Sequence, residues 1–221
     1  MNVLAVVAHP DDEILGIGGT LAKHVLDGDT VFCLILGEGA TSRDNGDSTQ
    51  VKALHENTKR AGKCIGFEKI FLSNLPDNCF DGIELLKIIK IVEKHISLLN
   101  PELIYTHHLG DLNIDHKITF NAVLTASRPQ GNNPVKKLIT FETPSSTEWN
   151  PCRETAFVPN IYVDISKTIQ LKLDAMKEYK TEIRSYPHPR SLEGLEILAK
   201  KRGMECGLQC AEALCLIRKI I

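Results

Sequence analysis

Two short segments hold most of the residues whose types and spacing suit chemistry. The first is His9-Pro10-Asp11-Asp12-Glu13. The second runs from His107 to His116 and packs three His, two Asp and one Asn into ten residues. The chain has 8 His in all, and half of them lie in these two segments. Imidazoles and carboxylates brought together are what a mononuclear zinc site needs, namely three N/O ligands and an open position for water. His9 and Asp12 flank a turn stiffened by Pro10 and can grip one ion. A third ligand from the second segment would close the site. Alone, the first segment also reads as a turn and a charged helix start, since acidic residues favour a helix N-terminus. The second cluster argues for the metal, because burying several carboxylates with no counter-charge is strongly unfavourable.

The elements around these segments say how they would meet. Residues 2–8 (NVLAVVA), 30–36 (TVFCLIL) and 103–107 (LIYTH) are apolar runs suited to strands buried on both faces. Weaker strands are expected at 69–72, 138–142 and 161–165. Helices are expected at 13–26, 50–64 and 82–99, the last with Leu85, Ile88, Ile89, Val92, Ile96 and Leu99 on one face. Asp115 is placed to cap a helix running to about residue 126. Ser166 is placed to cap one to about 182. Ser191 opens a last helix that reaches the C-terminus, with a break near Gly203. Alternation of strand and helix predicts an α/β fold, a mostly parallel sheet with helices on both faces. Ligand sites in such sheets lie outside the carboxyl ends of the strands, so the loops carrying the two segments should converge.

Composition sets the frame. The chain has 221 residues, 43% hydrophobic and 24% charged, with a formal net charge of −2. That suits one domain over residues 1–221 with a full core and no staples. The near-neutral charge gives no basic field for nucleic acid. No run of apolar residues is long enough to span a membrane. The N-terminus lacks a basic region before its apolar run, which argues against a signal peptide and for a cytoplasmic protein. Seven Cys with no CxxC pair read as reduced thiols. Cys206, Cys210 and Cys215 are expected as small core residues of the last helix rather than zinc ligands.

Ala8-His9-Pro10-Asp11-Asp12-Glu13 after an apolar strand, then Gly18-Gly19-Thr20-Leu21-Ala22, resembles the PIG-L/LmbE family of zinc-dependent N-deacetylases. Asp115-His116 matches that family's downstream Asp-His. The resemblance implies a Rossmann-like fold and hydrolysis of the N-acetyl group of an amino-sugar or sugar conjugate. It implies His9, Asp12 and His116 as ligands of Zn2+ and Asp11 as general base on zinc-bound water. It carries a homo-oligomer as an expectation of no fixed number.

The sequence departs from the family at two positions. Asn113 stands where many members have a His that stabilises the oxyanion, and Asp111 stands where some have a Tyr. Asn113 could donate its amide N–H instead, or His108 could replace the missing His. Asp115 is a candidate to orient an imidazole from behind. Glu38, Arg43 and His188 are candidate substrate contacts, His188 being held between two prolines. Trp149 offers a stacking face for a sugar ring. Gly16, Gly18 and Gly19 invite a nucleotide-binding reading, but acidic residues occupy the phosphate position and would repel a pyrophosphate. The glycines are read as close helix packing. Two other functions suit the same residues: a non-catalytic sugar-binding module on this fold, and a metal hydrolase of a non-sugar amide or ester.

Overall fold

The computed structural model describes residues 1–40 and 48–221. Among them β1 (Asn2–Val7), β2 (Thr30–Gly37), β3 (Lys69–Leu75), β4 (Leu103–His107), β5 (Lys137–Phe141), β6 (Ile161–Asp164) and β7 (Ala211–Lys219) form one sheet. Its order is β3-β2-β1-β4-β5-β7-β6. The strands from β3 to β5 pair in parallel, and β7 pairs antiparallel with both β5 and β6. This is a Rossmann-like, mostly parallel sheet, as the alternation of elements predicts.

The continuous apolar run of β1, whose side chains point alternately to the two faces, explains why it sits at the centre. Val3, Ala5 and Val7 face one core, with Leu15, Leu54, Ala61 and Met176. Leu4, Val6 and Ala8 face the other, with Ile88, Val92, Ala122 and Val123. The first face is covered by α1 (Asp12–Leu26), α2 (Ser48–Ile65) and α5 (Ile169–Glu178). The second is covered by α3 (Leu85–Leu99) and α4 (Ile114–Ala126). Strand order reverses between β1 and β4, which makes their carboxyl ends the crevice of the sheet. Gly16 and Gly19 lie under Phe141 and Ile165, where a Cβ would come within 2.2 Å and 2.9 Å of side-chain carbons. They serve helix packing.

The C-terminal expectation fails. Helix α6 (Leu192–Met204) ends, the chain turns at Gly207 with φ +77°, and β7 enters the sheet. A buried Glu212 hides the strand in the sequence: its carboxylate is neutralised by Lys172 and accepts two amide N–H groups, so a charge occupies a core position. Cys210 and Cys215 are buried, but Cys206 is exposed rather than in the core. Helix α5 is also shorter than expected, following Thr168 rather than Ser166. A single 3-10 turn, Phe80–Gly82, precedes α3.

Candidate metal centre

The end of β1 leads to His9 and, at the first residue of α1, to Asp12. The start of α4 delivers His116. Three of their atoms converge. His116 Nε2 lies 3.3 Å from Asp12 Oδ2 and 3.3 Å from His9 Nδ1, and His9 Nδ1 lies 3.5 Å from Asp12 Oδ2. Two atoms that each bind a tetrahedral zinc at its usual distance of about 2.0–2.1 Å are roughly 3.3–3.4 Å apart. The donor set, two imidazoles and a carboxylate with all three side chains buried, fits that ion.

The far sides of both imidazoles face carboxylates. His9 Nε2 lies 3.0 Å from Asp115 Oδ2 and 3.3 Å from Asp77 Oδ1. His116 Nδ1 lies 3.2 Å from Asp111 Oδ1. Carboxylates behind ligand imidazoles select the tautomer and the ring orientation. They also shift the titration of the metal-free site. Burial alone would lower the His9 pKa, but Asp115 and Asp12 outweigh it and raise it to about 10. His116 rises to about 9 against the same burial, through Asp12 and Asp111. Burial disfavours the Asp12 anion, yet His116 and His107 hold its carboxyl well below the usual range. Asp111 is likewise held down, at about 2, by His116 and His107 and by the Ser146 hydroxyl.

Asp11 sits beside this group. It opens α1 with φ +106°, a conformation that side chains rarely adopt. Its amide donates to Glu13 Oε2 (3.1 Å), and Glu13 Oε1 accepts from Tyr179 Oη (2.6 Å). Its own Oδ2 lies 3.2 Å from Arg190 Nη1. Burial raises the Asp11 pKa well above the ordinary carboxylate range, Arg190 opposes that, and Asp12, Glu182 and Glu13 add to it.

The cleft above the centre holds about 110 Å³ and is lined by His9, Asp11, Asp12, Asp77, Asn113 and Arg190, among others. Asn113 is the N-cap of α4, its Oδ1 accepting from the Asp115 amide at 2.8 Å. It, rather than Asp115, caps the helix, which frees the Asp115 carboxylate for His9. Its Nδ2 donates to Asn78 Oδ1 at 3.0 Å.

His108 is not in the cleft. Its Nε2 lies 3.1 Å from the Thr155 carbonyl oxygen and its ring meets Phe157 edge-on. The Thr155 carbonyl comes so close to Gly110 that a Cβ there would lie 1.7 Å from it. His107 is fully buried: its Nε2 accepts the Ala8 amide N–H (2.9 Å), its Nδ1 faces Thr143 Oγ1 (3.1 Å), and burial lowers its pKa to about 4. Glu38 follows β2, its amide donating to the Leu75 carbonyl, next to the cleft-lining Gly39. His188 is not among the residues that line the cleft; its ring lies 6.0 Å from that of the exposed Trp149, and its Nδ1 accepts the amide of the cleft-lining Arg190. Arg43 lies outside the described residues.

Sequence reasoning missed Asp77 and Glu182, which come from loops with no motif, and Arg190, which follows the Pro-His-Pro segment singled out only for His188. Charge balance was the available signal for Arg190, since three consecutive acidic residues at a buried strand end call for a cation. Asp111, noted only as a departure, turns out to face His116 and to accept from Thr147 Oγ1 at 2.7 Å.

Residues 4–127, more than half of the chain, match the family described as PIG-L: GlcNAc-PI de-N-acetylase. The chain belongs to that family. It is 30% identical over 194 residues to the diacetylchitobiose deacetylase of Thermococcus kodakarensis, covering 82% of this chain and 70% of the relative. It is 26% identical over 186 residues to the uncharacterized deacetylase YaiS of Escherichia coli, covering 81% and 91%. Among solved structures, the hydratase GalB of Pseudomonas putida KT2440 superposes with a TM-score of 0.80 at 17% identity, covering 100% of this chain and 97% of that one. That last likeness is one of fold alone. No helix among the described residues is long and apolar enough to cross a membrane.

Proposed function

We propose that the chain is a zinc-dependent hydrolase that removes the N-acetyl group from an amino-sugar or sugar conjugate. The observation that carries this is the convergence of His9 Nδ1, Asp12 Oδ2 and His116 Nε2 with Asp11 adjacent to the set and outside it. The family and the deacetylase relatives support the reaction class.

His9, Asp12 and His116 would hold the ion, with Asp115 and Asp111 fixing the two imidazoles from behind. Zinc, when bound, supplies Lewis acidity that brings water's pKa towards 7 and polarises an acyl oxygen. Asp11 takes the proton from the attacking water. The water oxygen bonds to the acyl carbon, the C–N bond breaks, and Asp11 returns the proton to the leaving amine, so that acetate and a free amine result. Its raised pKa suits a group that must hold a proton between those two events. Arg190 keeps enough of it ionised to begin, and fixes the carboxylate. Asn113 Nδ2, at the cleft wall, is the N–H donor assigned to the oxyanion. His108 has no part in this proposal, because its imidazole is committed to Thr155. Substrate contacts are assigned to Glu38, to Arg43 and to His188, with Trp149 beside His188. One domain, residues 1–221, carries the whole reaction.

The test is amine release from N-acetylglucosamine and N,N'-diacetylchitobiose by the zinc-loaded protein. Free amine and acetate in equal amounts are expected, and Asp11→Asn should abolish release while keeping zinc. A zinc-loaded wild type that frees no amine from amino-sugar derivatives would remove the deacetylase reading.

A further inference from the structure

Helix α1 is broken inside, with Ile17 at φ −136°, ψ 20°. In an unbroken helix the Leu15 carbonyl would accept from the Gly19 amide. Here a buried ion pair stands between them. Lys172 Nζ, from α5, donates to the Leu15 carbonyl (2.9 Å) and to Glu212 Oε1 (2.6 Å). Glu212, from β7, accepts the Gly19 amide on the same oxygen (3.0 Å) and the Thr20 amide on the other (2.6 Å). The missing helix bond is thus replaced by a side-chain bridge of carbonyl, ammonium, carboxylate and amide. Side-chain insertion into the helix ladder is a recognised cause of a kink.

The short segment ahead of the break is the one that matters to the metal centre. It carries Asp12, and the Leu15 amide holds the Asp11 carbonyl at 2.8 Å. Two hydrogen bonds therefore connect the Lys172 ammonium to the peptide unit of Asp11, through Leu15. We infer that Lys172 and Glu212 are positioning residues that set the angle of this first turn of α1, and so place Asp12 for the metal and Asp11 beside it. The inference rests on the zinc reading above. Both side chains are almost wholly buried, only 4% exposed, and neither lines the cleft, so they act only through the backbone of α1. A break with its own buried bridge lets the first turn point at the crevice while the rest of α1 packs along the sheet.

The zinc dissociation constant, read by competition with a chromophoric chelator, tests this. Lys172→Met should weaken zinc binding about tenfold, the lower end of what misplaced ligands lose. Removing a positive charge would by itself strengthen binding of a cation, so weakening reports geometry and not charge. Leaving Glu212 unpaired endangers the fold. The double variant Lys172→Met/Glu212→Gln keeps the net charge and retains an acceptor for one amide, and should show the same loss. A folded variant of either kind with wild-type or tighter zinc binding overturns the inference. Should neither fold, amide exchange in the wild type decides: zinc should slow exchange at Gly19 and Thr20, since coupling between sites is reciprocal, and unchanged exchange there overturns it. A wild type that binds no zinc overturns the zinc reading itself, a different result from either of these.

Discussion

His9 Nε2 lies 3.0 Å from Asp115 Oδ2, although the two residues are 106 positions apart. Asp115 Oδ1 is held in turn by the Phe80 amide at 3.0 Å. The adjacent His116 points its Nε2 to the point that His9 Nδ1 addresses. In the proposed zinc site, the Asp-His dipeptide at the start of α4 would thus supply one ligand and orient another. Asp115→Asn keeps the size and a hydrogen-bonding oxygen but removes the charge. Zinc affinity should fall about 10- to 100-fold, measured by chelator competition, with the fold intact by circular dichroism. Affinity unchanged from wild type would show that His9 does not depend on Asp115.

Arg190 is the counter-charge to Asp11. Taking it away removes the interaction that lowers the Asp11 pKa and leaves burial and the neighbouring carboxylates unopposed. A general base must be ionised to act, so in Arg190→Met the acidic limb of kcat/KM should move to higher pH. At a fixed pH below that limb, the rate falls about tenfold for each unit the limb moves. A limb that stays in place while KM rises would assign Arg190 to substrate binding instead.

The metal-free protein should lose stability in two pH windows of opposite sign. His9 and His116 have folded pKa values of about 10 and about 9, above their unperturbed 6.5. The folded state holds those protons more tightly, so their contribution is complete below 6.5 and is lost as pH climbs through 9 to 10. Asp111, held at about 2 against 3.8, contributes fully above 3.8 and loses its contribution as pH falls towards 2. For these three groups scanning calorimetry should show a plateau between pH 3.8 and 6.5 with a fall on each side. Zinc should flatten the alkaline fall, because imidazoles that bind metal are already neutral. An alkaline fall identical with and without zinc would place its origin elsewhere.

The sequence made the crevice legible and its surroundings much less so. The short continuous apolar runs of β1, β2 and β4 suit strands buried on both faces, and with the intervening helices they favour the parallel order that the sheet shows. The two strand-end loops crowded with polar groups pointed to His9 and Asp12 and to a partner from the second segment, and the family resemblance singled out His116; the structure brings the three together. Asp77 and Glu182 were not readable, since each arrives from a loop of ordinary composition, and Arg190 was passed over beside the His188 that the two prolines hold; all three matter only through distance. His108 misled because alternate residues of an extended chain point to opposite sides, and the buried His107 fixes which side its neighbour takes. The C-terminal strand was hidden by Glu212, a charge in a core position whose partners, Gly19, Thr20 and Lys172, are remote in sequence.

The central claim is that one ion is shared by His9, Asp12 and His116 while Asp11 stays free of it. Diffraction from zinc-soaked crystals at the zinc absorption edge tests it most directly. The account predicts one strong anomalous peak per chain, about 2.0–2.2 Å from His9 Nδ1, an Asp12 carboxylate oxygen and His116 Nε2, with the Asp11 carboxylate outside bonding distance. A peak bonded to Asp11, or located away from these three residues, would contradict it.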